Sequence, residues 1–181
     1  RLSNMRNVAG AYQARATGPI AFVPRSAGGN DDTDLSATAI LFHEYAHHFM
    51  YSSWPHAAYP RWFVEGFAEF HATTRFEKDG SVVIGYPPQY RAWGIFQDIL
   101  PLERMLASDT AKLRDDQQQS LYGRGWLLTH YIMIEGSRSA QGMAYLKAIN
   151  DGKPAREAAQ SAFGELPTLD RELDRYAPGR F

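Results

Sequence analysis

The stretch His43-Glu44-Tyr45-Ala46-His47 predicts a helix that carries two histidines one turn apart. Positions i and i+4 lie on one face of an α-helix, so both imidazoles can point at the same ion. Glu44 is rotated by roughly 100° from His43 about the helix axis, which keeps it out of the ligand set but near an open coordination position. The pattern predicts two metal ligands, His43 and His47, and one general base, Glu44. Asp34 or Ser36 can cap the N-terminus of this helix.

A third ligand is expected in the following stretch, Trp62-Phe63-Val64-Glu65-Gly66-Phe67-Ala68-Glu69. Catalytic zinc sites use three protein ligands and leave a fourth position open. The seventeen residues 48–64 between His47 and Glu65 can finish the first helix, turn, and begin a second helix that packs against it. Glu65 then faces the two histidines. Glu69, one turn later, is expected to accept a hydrogen bond from the outer ring N–H of His43 or His47.

Composition narrows the kind of site and the classes of partner. The chain has no cysteine, so a metal site must use His, Asp and Glu, and disulfides and thiolate chemistry are excluded. The net charge of −1 lacks the basic excess of a nucleic-acid binder. No apolar run is long enough to cross a bilayer. Because the sequence begins at Arg1, we expect a mature or shortened chain, which leaves a signal peptide undecided.

The remaining pattern predicts an α+β fold that is mostly helical. Ile20-Ala21-Phe22-Val23 indicates a short strand, and Val82-Val83-Ile84 indicates one arm of a hairpin after a turn at residues 78–81. One domain is expected over 1–181, with a metal-site α/β part at 1–89 and a helical part at 90–181. The predicted helices are 35–51, 60–75, 90–98, 101–108, 117–135, 139–150, 154–163 and 167–176.

The two motifs together resemble the gluzincin metallopeptidases, the clan of thermolysin and the aminopeptidase N-like enzymes. The resemblance is strongest over residues 40–71. It implies a zincin-like catalytic domain that acts on a peptide or protein substrate. It also implies one Zn²⁺ per chain held by His43, His47 and Glu65, with Glu44 activating the water. In thermolysin-like enzymes an acidic residue one turn after the ligand glutamate supports a zinc-bound histidine, and Glu69 matches that position.

The resemblance extends to residue 176 and bears on the catalytic tyrosine. Leu121-Tyr122-Gly123-Arg124-Gly125 is similar to the Tyr-x-Lys-Gly stretch of aminopeptidase N-like enzymes, which implies that Tyr122 stabilises the oxyanion. The stretch 145–176 resembles the helical end of bacterial peptidase-MA-like proteins. By that analogy we expect a periplasmic or secreted protein; the oligomeric state stays open.

Two departures from the family pattern affect the expected specificity. Aminopeptidases of this type carry Gly-x-Met-Glu-Asn before the first histidine, where this chain has Gly10-Ala11-Tyr12-Gln13-Ala14 without the acid. Gln13 cannot neutralise a substrate ammonium group, so we expect an endopeptidase or another amide hydrolase. The seventeen-residue spacing is also one or two residues shorter than in the best-known subfamilies. The strand at Ile20–Val23 is expected to bind an extended substrate by edge pairing.

Other interpretations stay open for the whole chain and for single residues. The chain can be a zinc-binding, catalytically weak regulatory module on the same scaffold, or a non-peptidase zinc hydrolase. Glu69 can be a helix-surface carboxylate, and Tyr122 a core tyrosine. Structural or surface roles, including capping and solvation, are expected for His48, His56, His71, His130, Asp31, Asp32 and Asp34.

Overall fold

The structure is a computed structural model that describes residues 9–13, 18–23, 34–97, 99–107 and 112–181. It is mostly helical with two short antiparallel hairpins, which confirms the predicted α+β class at that level. The strands are β1 (Ala11–Gln13), β2 (Ile20–Phe22), β3 (Arg75–Phe76) and β4 (Val82–Val83). The helices are α1 (Ala37–Ser53), α2 (Arg61–Ala72), α3 (Ala92–Phe96), α4 (Leu102–Leu106), α5 (Asp115–Ile134), α6 (Ser139–Asn150), α7 (Ala155–Phe163) and α8 (Leu166–Tyr176), with 3₁₀ turns at Gln89–Arg91 and Ala177–Arg180.

Most predicted helix limits lie within two residues of the observed ones, and two differ in kind. The predicted helix 60–75 ends at Ala72, because Arg75 and Phe76 form β3 and pair with Val83 and Val82. The predicted helix 90–98 is a 3₁₀ turn followed by a single helical segment, α3. Asp31 and Asp32 lie outside the described residues.

Helix α1 begins as its sequence predicts. The Ser36 hydroxyl accepts a hydrogen bond from the Ala39 N–H at 3.1 Å, so Ser36 is the N-cap and satisfies one free donor of the first turn. The buried face of α1 includes two charged or titratable side chains, Glu44 and His47, among apolar ones. Since buried polar groups of this kind are costly without partners, this face indicates a site.

The core is built mainly by α4, α5, α7 and α8. Helix α2 packs on α5, and the two cross at two glycines. A Cβ atom on Gly66 would lie 2.3 Å from the Gly125 carbonyl oxygen, so the close approach of the two backbones requires glycine at 66. The same core continues to α6, where the Trp62 indole N–H donates to the Tyr145 hydroxyl at 3.2 Å. Because Gly66 follows Glu65 directly, this contact fixes the position of the third expected ligand.

We expect Gly66→Ala to lower the free energy of unfolding by about 2–3 kcal/mol, because the added methyl group meets backbone that cannot move aside. Urea unfolding of the metal-free protein measures this. Gly136→Ala is the matched control, since a Cβ there meets nothing within 4 Å, and it should change stability by less than about 0.5 kcal/mol. Equal midpoints for the wild type and Gly66→Ala would contradict the described α2–α5 contact.

Candidate metal centre

Three potential ligand atoms from α1 and α2 converge on one point. The Nε2 atoms of His43 and His47 are 3.1 Å apart. The Oε2 atom of Glu65 lies 3.4 Å from the first and 3.6 Å from the second. The structure thus brings together His43, His47 and Glu65 as a group that could hold a metal ion.

The separations of 3.1, 3.4 and 3.6 Å lie within about 0.2 Å of what a tetrahedral ion requires. Zn–N bonds near 2.0–2.1 Å and Zn–O bonds near 2.0–2.2 Å, at tetrahedral angles, place ligand atoms roughly 3.3–3.5 Å apart. Glu65 Oε2 is buried, and among the described residues it accepts no hydrogen bond. A buried carboxylate oxygen aimed at two imidazole nitrogens fits a metal ligand better than an ordinary hydrogen-bond acceptor.

The protonation of the histidine pair follows from its surroundings. Burial disfavours a charge on His43, but the nearby carboxylates of Glu65 and Glu69 outweigh it and raise the His43 pKa to about 10. Burial, followed by the charge on His43, lowers the His47 pKa to about 4. At neutral pH the pair therefore carries one positive charge, on His43, which lies between the carboxylates of Glu65 and Glu69.

Glu69 lies behind His43, as the helix spacing predicts. Its Oε1 atom is 3.4 Å from His43 Nδ1, the ring nitrogen that faces away from Glu65. The side chain is only 1% exposed. Burial opposes the ionised form, but the charge of Arg91 and the contacts with His43 outweigh it and lower the Glu69 pKa to about 2. Glu69 is therefore ionised and can fix the His43 ring with its Nε2 towards the ligand cluster.

Glu44 is buried on the same helix and lines the same cavity as His43. Burial raises its pKa, and the charge on His43 opposes that shift. The backbone N–H of Tyr12 in β1 donates a hydrogen bond to the carboxylate. A Cβ on Gly10 would lie 2.8 Å from Glu44 Oε1, so glycine at position 10 lets the chain approach the acid closely. A raised carboxylate pKa is the adjustment that a general base needs.

A cavity of about 410 Å³ opens on this cluster. Tyr122 of α5 is part of its wall, and its ring centroid lies 6.2 Å from that of His43. Burial, followed by the charge of Glu65, raises the Tyr122 pKa to about 12, so the phenol keeps its proton at neutral pH. The cavity is lined by Ala9, Gly10, Leu35, Ile40, His43, Glu44, Glu69, Tyr90, Arg91, Asp115, Gln118, Gln119 and Tyr122.

The strand beside the cavity differs from the expected one. Gly10 and the backbone of Tyr12 place β1 at Glu44, whereas no residue of the expected strand, β2 (Ile20–Phe22), is among the described lining residues. β2 pairs with β1 in an antiparallel ladder. Edge pairing of an extended substrate with Ile20–Val23 stays a prediction. Gly10 and Tyr12, from the stretch that the gluzincin resemblance singled out, are the residues of this hairpin that reach Glu44.

The residues that surround Glu69 and Tyr122 were not predicted from the sequence. Arg91 and Tyr90 both contact the Glu69 carboxylate, and Gln118 hydrogen-bonds to Tyr122 from one turn earlier on α5. Only Gln118 had a usable signal in the sequence, namely its i−4 spacing from Tyr122.

The other histidines lie outside the ligand cluster. His48 contacts the hydroxyls of Tyr12 and Ser52, and His71 Nδ1 donates to the Phe67 carbonyl. His130 Nδ1 is 2.8 Å from the Tyr176 hydroxyl. His56 is exposed.

Arg124 also lies away from the cavity, although it belongs to the motif around Tyr122. Its guanidinium is buried and pairs with Asp170 and Asp174 of α8. These two ion pairs connect α5 to α8.

Comparisons with known protein families, with curated proteins and with solved structures find no match to this chain. The gluzincin resemblance therefore depends on the sequence motifs alone and stays a prediction. Within the part of the chain that the structure describes, no helix combines the length and the apolarity needed to cross a membrane.

Proposed function

We propose that this protein is a zinc-dependent metallopeptidase of the gluzincin type, with His43, His47 and Glu65 as the metal ligands. The observation that carries the proposal is the buried Glu44 carboxylate, which lines one cavity together with His43, a member of the three-residue ligand group. A site that only bound metal would have no need of a further, non-ligand carboxylate with a raised pKa. The donor set of two imidazoles and one carboxylate is that of known zinc hydrolases.

The proposed chemistry assigns one role each to Glu44, Tyr122 and Glu69, which line the cavity. A bound Zn²⁺ would supply an activated water and polarise the scissile carbonyl. Glu44 takes a proton from the attacking water and passes it to the leaving amine. Tyr122 donates its phenol proton in a hydrogen bond to the oxygen that gains negative charge. Glu69 holds the His43 ring in place, which keeps the ligand set rigid.

The sequence of the β1 segment favours cleavage within a chain over removal of its first residue. Gln13 is neutral, and the segment that carries it lies beside Glu44, where an aminopeptidase needs an acid for the substrate ammonium group. The neighbouring backbone of β1 also offers main-chain groups to an extended peptide. We therefore propose an endopeptidase.

Digestion of peptide mixtures tests this proposal directly. The zinc-loaded wild type and Glu44→Gln are incubated with peptides whose termini are free or blocked, and products are identified by mass spectrometry. Internal cleavage of blocked peptides by the wild type alone is expected. Equal cleavage by both proteins would mean that Glu44 is not the base. A wild type that binds zinc and cleaves nothing would support the alternative, a zinc-binding regulatory module.

Tyr122→Phe should lower turnover by about 10²-fold while substrate binding changes little, because the phenol acts on charge that develops only in the transition state. The kcat and KM values for a peptide found in the digestion measure this. Tyr45→Phe is the matched control, since Tyr45 is 62% exposed on α1 and lies outside the cavity lining. An unchanged kcat in Tyr122→Phe would remove this residue from the mechanism.

A further inference from the structure

Arg91 contacts both Glu69, which supports the candidate ligand group, and the ring of Tyr122. It ends the 3₁₀ turn Gln89–Arg91, and its side chain is 14% exposed. Its Nε and Nη2 atoms donate to Glu69 Oε1 at 3.0 and 2.7 Å. Its Nη1 atom donates to the Gln119 side chain at 2.9 Å, and the guanidinium carbon lies 4.6 Å from the centre of the Tyr122 ring.

These contacts fix the guanidinium from two helices at once. Glu69 belongs to α2, whereas Gln119 and Tyr122 belong to α5. The charge of Arg91 is matched by the buried carboxylate of Glu69, so its main electrostatic partner is within the protein. Three nitrogens are engaged, and the cation lies over an aromatic ring, which is a geometry that favours arginine.

Arg91 restrains the Glu69 carboxylate, which in turn contacts the candidate ligand His43. Glu69 contacts His43 Nδ1 at 3.4 Å, and the Tyr90 hydroxyl donates to its other oxygen at 3.1 Å. With Arg91 and Tyr90 on separate oxygens, the Glu69 carboxylate has little freedom to rotate. The orientation of the His43 ring therefore depends on Arg91 through Glu69.

We infer that Arg91 is a positioning residue that holds both Glu69, and through it His43, and the ring of Tyr122. The His43 half of this inference depends only on metal binding. The Tyr122 half rests on the proposed function. Lysine at position 91 would keep the charge but lose the planar fork, so it separates orientation from charge.

The His43 half is tested by zinc affinity, measured by competition with a chromophoric chelator. Arg91→Lys and Glu69→Gln should each weaken zinc binding by about 10-fold, the lower end of the range for groups that support a ligand. The double variant should be no more than slightly weaker than Glu69→Gln, because both act through one contact. Arg91→Lys with wild-type affinity, or losses that multiply in the double variant, would overturn this half.

Arg138→Lys separates positioning from general stabilisation. Arg138 forms a comparable, partly buried ion pair with Glu172, and neither residue lines the cavity. Arg138→Lys should lower the unfolding midpoint and leave zinc affinity unchanged. Equal losses of zinc affinity in Arg91→Lys and Arg138→Lys would reduce the role of Arg91 to stability alone.

The Tyr122 half is tested by kcat at saturating zinc, so that occupancy is equal in all variants. Arg91→Lys should lower kcat about 10-fold in the wild-type background and much less in Tyr122→Phe. The same factor in both backgrounds would overturn this half. A wild type without any hydrolysis would overturn the proposed function and the Tyr122 half with it, while the zinc affinities would still decide the role of Arg91 towards His43.

Discussion

Glu44→Gln is expected to lower peptide hydrolysis by about 10²- to 10⁴-fold, the usual contribution of a general base. Glutamine has the shape of glutamate and can still accept the hydrogen bond from the Tyr12 N–H, but it cannot take a proton from water. Because Glu44 is outside the three-ligand group, the variant should keep its zinc. The loss should appear in kcat, with KM little changed.

Rates and zinc content are measured together on the wild type, on Glu44→Gln and on Glu77→Gln. Glu77 is exposed beside the β3–β4 hairpin and lies outside the cavity lining, so Glu77→Gln should behave as the wild type. Full activity in Glu44→Gln would rule out its role as base. Loss of zinc together with activity would instead assign Glu44 to the ligand set.

The second large effect is expected from His47→Ala, which removes one of three ligands. Structural zinc held by four ligands in zinc-finger peptides is worth about 10–16 kcal/mol, which is about 2.5–4 kcal/mol per ligand, or a factor of about 10²–10³ in affinity. At a zinc concentration of about 100 times the wild-type Kd, the wild type should gain about 2.7 kcal/mol of stability. The variant should gain less than about 0.5 kcal/mol under the same conditions.

Thermal unfolding with and without zinc measures this difference. His56→Ala is the matched control, because His56 is exposed and lies outside the cluster. It should show the full stabilisation by zinc. A wild-type midpoint that does not move with zinc, or a His47→Ala midpoint that moves as far as that of the wild type, would contradict the ligand assignment.

The sequence predicts the local parts of this molecule well because helix spacing is a local property. A cap at Asp34 or Ser36, the limits of α6 and the shared position of His43, His47 and Glu65 were expected from spacing and turn chemistry, and the structure has Ser36 as the cap. The end of α2 was predicted too late, since apolar spacing continues to Phe76 while Arg75 and Phe76 find partners in β4.

Contacts between distant parts of the chain could not be predicted in this way. Arg91 is 22 residues from Glu69, and nothing in its neighbourhood indicates a buried carboxylate partner. That β1 lies beside Glu44 depends on how a hairpin with three-residue strands packs on α1. The approach of Gly66 to Gly125 depends on the crossing of α2 and α5, which the glycines permit but do not specify.

The metal centre itself is decided by zinc content, determined by elemental analysis of the purified wild type and of His47→Ala after incubation with zinc and desalting. We expect one zinc per chain in the wild type and a large loss in the variant. No zinc in either protein, or equal zinc in both, would contradict a metal centre built on His43, His47 and Glu65.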